Sequence, residues 1–131
     1  MMIDKIALLY IRDKKVLSSR SKGKDTFYFP GGKRECSETD IETLIREIKE
    51  ELNVDIIPSS VKYYGTFETQ AHGKAEGVVV KMTCYTADFD GNPVASNEIE
   101  ELRWFGSEGS DISSPVDKLI YRDMISKGII E

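Results

Sequence analysis

Cysteine is scarce in this sequence, histidine occurs once, and neither a long apolar run nor an excess of basic residues is present. Each shortage removes a class of function. The two cysteines, Cys36 and Cys84, form no C-x-x-C pair, and with the single His72 they fall short of the four ligands of a structural zinc site. Such thiols suit a reducing cytoplasm. No apolar stretch approaches the roughly 20 residues of a membrane-spanning helix, so a soluble chain with no membrane partner is expected. The opening MMIDKIALLYIRDKK lacks a basic leading region and a small-residue cleavage site, and Asp4 and Lys5 interrupt it; it reads as a strand. A formal net charge of -5 disfavours long nucleic acid, whose binding depends on Lys and Arg meeting phosphates. Phosphate bound here calls for a mediating cation. No internal repeat, linker or low-complexity segment interrupts the 131 residues, which suit one domain over 1–131, long enough to close a core unaided.

Local patterns predict a mixed α+β domain. Residues 5–12 run almost unbroken in apolar character, Asp13 and Lys14 read as a turn, and residues 16–19 resume an extended pattern: a hairpin. Residues 26–29 are aromatic and β-favouring until Pro30, after which Gly31 and Gly32 read as a tight loop. Residues 61–69 and 78–87 predict two strands joined at AHGKAEG, DFDGNP marks a turn, and residues 102–105 predict a further strand. Val116, Leu119, Ile120 and Met124 suit a closing helix that ends at Gly128.

The clearest helix lies between. Thr39 and Glu42 have capping-box spacing, and Ile41, Leu44, Ile45, Ile48 and Leu52 recur at helical intervals. Asn53, tolerant of the left-handed conformation, ends it. At about 100° per residue, Glu47, Glu50 and Glu51 share an arc beside the apolar face, with Glu51 closest to the apolar edge. Like charges at these spacings repel, and the macrodipole disfavours negative charge in the C-terminal half of a helix. A solvated face, eased by Arg46 and Lys49, is one explanation. The other is a hard divalent cation, which takes carboxylate oxygens and keeps its remaining positions for water and phosphate.

The flanking residues bear on that choice. Gly32, then after five intervening residues Glu38, and after seven more Arg46-Glu47-Ile48-Lys49-Glu50-Glu51-Leu52-Asn53-Val54 resemble the Nudix box, Gx5Ex7REUxEExGU with U a bulky aliphatic. Eight of its nine specified positions are met; Asn53 stands where the box has Gly.

The resemblance implies the Nudix fold, an α/β/α sandwich around a mixed sheet, and an enzyme that hydrolyses a nucleoside diphosphate linked to another group. Its cofactor would be Mg²⁺, with Mn²⁺ as a substitute, and its partner a small nucleotide; a homodimer is left open. Carried over by position, Glu47, Glu50 and Glu51 hold the cation, with the carbonyl of Gly31 or Gly32 as a further ligand. Glu47 is also a candidate general base, Arg46 orients the cluster, and Glu38 is its structural partner. Glu98, before the last strand, is expected to join the metal site, with Glu101 as the fallback. Arg20 resembles a phosphate-contacting arginine, the plain alternative being an exposed strand residue; Phe29 either flanks a base or packs in the core. Trp104 reads as core, and His72 as a solvated tip residue. FYFPGGK resembles the MutT-like branch, which removes pyrophosphate from nucleoside triphosphates, including oxidised ones. Ser113-Ser114-Pro115-Val116 departs from that branch, whose base-reading Asn precedes the Pro-Val. An ADP-sugar or dinucleoside polyphosphate hydrolase and a non-catalytic nucleotide sensor are the alternatives.

Overall fold

The computed structural model describes residues 2–70 and 77–131; His72 lies outside them. Strands β1 (Met2–Leu8), β2 (Ile11–Arg12), β3 (Lys15–Ser21) and β4 (Gly31–Lys33) precede helix α1 (Asp40–Leu52). Then follow β5 (Asp55–Ile56), β6 (Lys62–Gln70), β7 (Val79–Thr86), β8 (Phe89–Asp90), β9 (Ile99–Phe105) and helix α2 (Pro115–Ser126). Short 3₁₀ turns cover Pro58–Ser60 and Ser107–Ile112. A four-stranded sheet runs β4-β1-β7-β6, a three-stranded one β2-β3-β9, and β5 pairs with β8. The β1–β7 pair is parallel and its neighbours are antiparallel, which makes the larger sheet mixed.

Strand β1 explains the layering. Its side chains alternate between faces, so Ile6 and Leu8 meet Leu44, Ile48 and Leu52 of α1, while Ala7 and the following Leu9 meet Val80, Met82 and the α2 residues Val116, Ile120 and Met124. Each large apolar side chain so buried stabilises the fold by roughly 1.5–3 kcal/mol. One helix on each face of a mixed sheet is the expected α/β/α arrangement.

Several expectations need correction. The apolar run 5–12 is divided: Leu9 and Tyr10 separate β1 from β2, which lie in different sheets. Asp13 and Lys14 do form the predicted turn, with φ of 54° and 62°, as a tight hairpin of type I′ requires. Residues 26–29 make only isolated bridges, Tyr28 to Ser19 and Phe27 to Ser113. The glycines read as a loop instead form β4, where Gly32 pairs with Ile6 and Gly31 with Ala7. Phe89–Asp90, read as turn, is a short strand on β5. Ile41, counted on the apolar face of α1, is 40% exposed, and Trp104, read as core, is 37% exposed beside Tyr10.

Helix α1 is capped at both ends as predicted. Thr39 Oγ1 accepts from the Glu42 N–H and Glu42 Oε1 from the Thr39 N–H, satisfying two first-turn donors. Asn53 has φ 55° and ψ 41°, and its N–H donates to the Lys49 carbonyl. This left-handed residue tests the departure from the box. Asn53→Gly should leave the denaturation midpoint nearly unchanged, whereas Asn53→Ala should cost about 1 kcal/mol in urea unfolding.

Candidate functional site

The acidic cluster is organised by one arginine. Arg46 donates through Nε and Nη2 to the two carboxylate oxygens of Glu38, at 2.7 and 2.9 Å, and through Nη1 to Glu47 Oε1 at 2.8 Å. Its Nη2 also reaches the Lys33 carbonyl at 3.0 Å, at the end of β4. Glu50 Oε1 lies 3.7 Å from the same guanidinium. Glu38 accepts further from the Glu35 N–H and the Thr43 hydroxyl; the Arg46 hydrogen bond leads in holding its carboxyl down at about 2. A two-pronged contact of this kind fixes orientation as well as charge.

Glu51 sits differently. It is 7% exposed, and its Oε1 accepts from the Gly31 N–H at 2.9 Å. Burial pushes its carboxyl up to about 8, with the Gly31 bond opposing and the charges of Glu47 and Glu98 adding to the rise. Burial likewise raises Glu47, against the bond from Arg46 and with repulsion from Glu50 and Glu98. Glu98 therefore stands within electrostatic reach of both. Glu101 does not join them: Arg20 and Arg103 hold it at 3.1 and 2.6 Å.

A loop brings Glu98 there. The last carbonyls of a helix have no partner within it, and here residues 94–97 supply one: the Val94 N–H donates to Leu52 O, the Ser96 N–H to Glu51 O, and Asn97 Nδ2 to Glu50 O. Nothing in the local sequence pattern of this segment signals that docking, because its donors are mostly backbone groups.

Gly31 and Gly32, the second of which opens the box, are required by contact. A Cβ on Gly31 would lie 2.0 Å from the Ile6 carbonyl oxygen, and its φ is +147°. A Cβ on Gly32 would fall 2.5 to 2.7 Å from the Glu47 carboxyl atoms. Glycine thus lets β4 approach both β1 and the acidic cluster.

Among the described residues, no three acidic, His or Cys side chains converge on one point; Arg46 and the Gly31 N–H occupy the carboxylates instead. The donor set still fits a hard divalent cation. Oxygen ligands are clustered, and the half-buried Glu47 and buried Glu51 carry charge that burial disfavours and a cation would compensate.

Beside the cluster opens a cavity of about 290 Å³, walled by Gly31, Gly32 and Glu51 at one side and by Tyr28, Phe29, Met82, Ile99, Ser114 and Val116 elsewhere. Phe29 is both core and wall, 3% exposed with its ring 5.2 Å from Tyr121. Arg20 is not brought to this cavity. Ser19 and Ser21 line it, while Arg20 between them donates to Glu100, Glu101 and the Lys24 carbonyl.

Sequence reading missed Asp117. Fully buried on α2, it accepts from the Phe29 N–H at 2.9 Å through Oδ2, while Oδ1 has no partner among the described residues. Burial raises its carboxyl to about 7 despite the bond from Phe29. A folded pKa above the unfolded value of about 4 means that the folded protein holds the extra proton. This contribution to stability is full below pH 4 and is lost as pH rises to 7. Thermal melts of the metal-free protein should therefore show Asp117→Asn gaining on the wild type across pH 4 to 7, by at most ~1.4 kcal/mol per pH unit. A constant difference would contradict the assignment.

Residues 3–120 match the family described as NUDIX domain. The chain is 30% identical over 91 residues to the mRNA-decapping enzyme subunit 2 and the m7GpppN-mRNA hydrolase of two Saccharomyces cerevisiae strains, covering 70% of this chain but only 9% of either yeast protein. Its fold matches the solution structure of the E. coli ORF135 protein at TM-score 0.76, with 26% identity and coverage of 95% and 89% of the two chains. A MutT NUDIX hydrolase from Burkholderia pseudomallei matches at TM-score 0.68, with 23% identity and coverage of 82% and 85%.

Proposed function

Because the chain belongs to the NUDIX domain family, we propose that it is a Mg²⁺-dependent pyrophosphohydrolase of nucleoside triphosphates, with Mn²⁺ as a substitute metal. The observation that carries this reading is the acidic cluster ordered by Arg46, whose Glu51 also walls a cavity of about 290 Å³.

Glu47, Glu50, Glu51 and Glu98, with the Gly31 carbonyl, would hold the cation. When bound, a divalent cation neutralises phosphate oxygens and lowers the pKa of a coordinated water. The remaining work belongs to the side chains. Arg46 keeps Glu47 turned toward Gly32, and Glu38 keeps Arg46 in place. A water oxygen bonds to one phosphorus of the chain while the bridging P–O bond opposite breaks, in line. Glu47, whose carboxyl burial has already made more basic than usual, takes the water's proton. Nucleoside monophosphate and pyrophosphate leave. The cavity next to the cluster takes the base, with Phe29 in its wall. Arg20, already engaged by two carboxylates, is left out of the phosphate contacts.

A long RNA substrate, of the kind named for the yeast relatives, sits poorly with a net charge of -5. A small nucleotide in a reducing, cytoplasmic setting suits the free thiols.

The test is product analysis on canonical and oxidised nucleoside triphosphates, ADP-ribose and dinucleoside polyphosphates, with Mg²⁺ and with chelator. Chelator-sensitive pyrophosphate release from triphosphates is expected. Cleavage confined to ADP-ribose or dinucleotides would overturn the substrate assignment, and binding without turnover would overturn the enzymatic one.

A further inference from the structure

Strand β1 places Ile3, Lys5, Ala7 and then Leu9 in one file facing the α2 side of the sheet, and three of the four are apolar and packed on that core. A lysine in such a file breaks the pattern that the rest of the strand obeys, and departures of that kind concentrate at functional positions. Lys5 lines the cavity, with its ammonium 5.6 Å from the centre of the Tyr28 ring. Among the described residues, the Lys5 ammonium makes no hydrogen bond or ion pair.

Its surroundings supply charge and the Tyr28 ring, but no hydrogen-bond acceptor. Burial lowers the Lys5 pKa, and Asp117, Glu51 and Glu47 oppose that fall in decreasing order, with Lys33 adding to it. The ammonium is therefore within electrostatic reach of both the acidic cluster and the buried Asp117 carboxyl. Ser114, 2% exposed on the N-terminal side of α2, lines the same cavity. A cation that shares the cavity wall with Ile3, Val80, Met82 and Val116 is placed as a small-molecule site places the few groups that fix orientation.

We propose that Lys5 is a specificity-determining residue of this cavity, donating to a carbonyl oxygen on the edge of the bound nucleobase and so favouring 6-oxopurines over adenine. The inference rests on the reading that the glutamates hold the phosphate chain, which leaves the cavity to the base. The ammonium can only donate. The purine 6-position offers an acceptor in guanine and hypoxanthine and a donor amine in adenine. Adenine would leave the Lys5 charge unsatisfied in a partly desolvated wall.

Calorimetric titration with IMP and AMP tests this without turnover, because both are product-like and carry the same phosphate. The wild type should bind IMP about tenfold or more tightly than AMP, the scale of one charge-assisted hydrogen bond. Lys5→Met should bring the ratio to within about twofold by weakening IMP alone, and Lys5→Arg, which keeps a donor, should preserve a preference. Circular dichroism of both variants checks the fold. Equal wild-type affinities, binding of neither nucleotide, or an equal loss of both in Lys5→Met would overturn the proposal; the last would place the ammonium on phosphate. If triphosphates release no pyrophosphate while the IMP preference holds and depends on Lys5, the reaction assignment fails and the base assignment stands.

Discussion

Glu51→Gln should fold as the wild type does and lose Mg²⁺-dependent turnover by a factor on the order of 10³, beyond the roughly 10–100-fold typical of outer-shell partners of a metal. Gln keeps an oxygen for the Gly31 N–H and nearly the same volume, so the packing around α1 is retained. What it removes is a buried negative charge. In the metal-free wild type that charge opposes folding: burial lifts the Glu51 carboxyl to about 8, so its stabilising proton is present below about pH 4 and lost as pH rises through 8. Two readouts should then diverge. Without metal at pH 8 the variant melts higher than the wild type; with saturating Mg²⁺ the wild type gains stability by mass action and the variant gains little. Wild-type rates in Glu51→Gln, or equal stabilisation of both proteins by Mg²⁺, would remove Glu51 from the metal site.

Gly31→Ala carries the largest expected loss of stability. The new Cβ would sit 2.0 Å from the Ile6 carbonyl oxygen and 2.8 Å from Ala7 Cα, both backbone atoms of the central strand, at a φ that side chains rarely adopt. Neither obstacle can swing aside. The β4–β1 pairing must open, and unfolding in urea should show a loss of about 4 kcal/mol or more, or no folded protein at all. Gly23→Ala is the control. Its φ is also positive, but nothing lies within 4 Å of its Cβ, so about 1 kcal/mol is the expected cost. A Gly31→Ala protein as stable as Gly23→Ala would show that β4 does not press on β1 in this way.

Helix α1 could be read closely from sequence because its signals are local: a capping box, an apolar period of 3.6 and an Asn terminator all lie within its own span. The place of Glu51 at the apolar edge followed from helical geometry; its burial came with the packing of α1 on the sheet. The strand glycines were not legible. Gly31 and Gly32 have loop composition, and only the tertiary approach of β1 and Glu47 makes them a strand. Trp104 and Ile41 mislead for a related reason, since an apolar residue at the right period is buried only where another element covers it. Asp117 was invisible because a lone aspartate in the first turn of a helix reads as complementing the macrodipole, and nothing in its neighbours announces that Phe29 will arrive above it. Glu98 stood between these cases. Its place before the last strand pointed to the site through the resemblance, but the docking of its loop depends on contacts across more than forty residues of chain.

That docking also sets an order of assembly. Residues 32–54, which carry the box, are complete early in synthesis, yet the amides that bind the end of α1 belong to residues 94–97 and arrive much later. Until they do, the carbonyls of Glu50, Glu51 and Leu52 have only water to bond, and the last turn of the helix is open to fraying. Contacts of such long sequence separation form late in folding. The acidic cluster is therefore completed near the end, so a chain interrupted before residue 94 would carry every residue of the box without the fourth carboxylate or a fixed helix end. Amide exchange would record this as shared protection: the last turn of α1 and the segment 94–97 should open together, as one unit, although neither is beside the other in sequence.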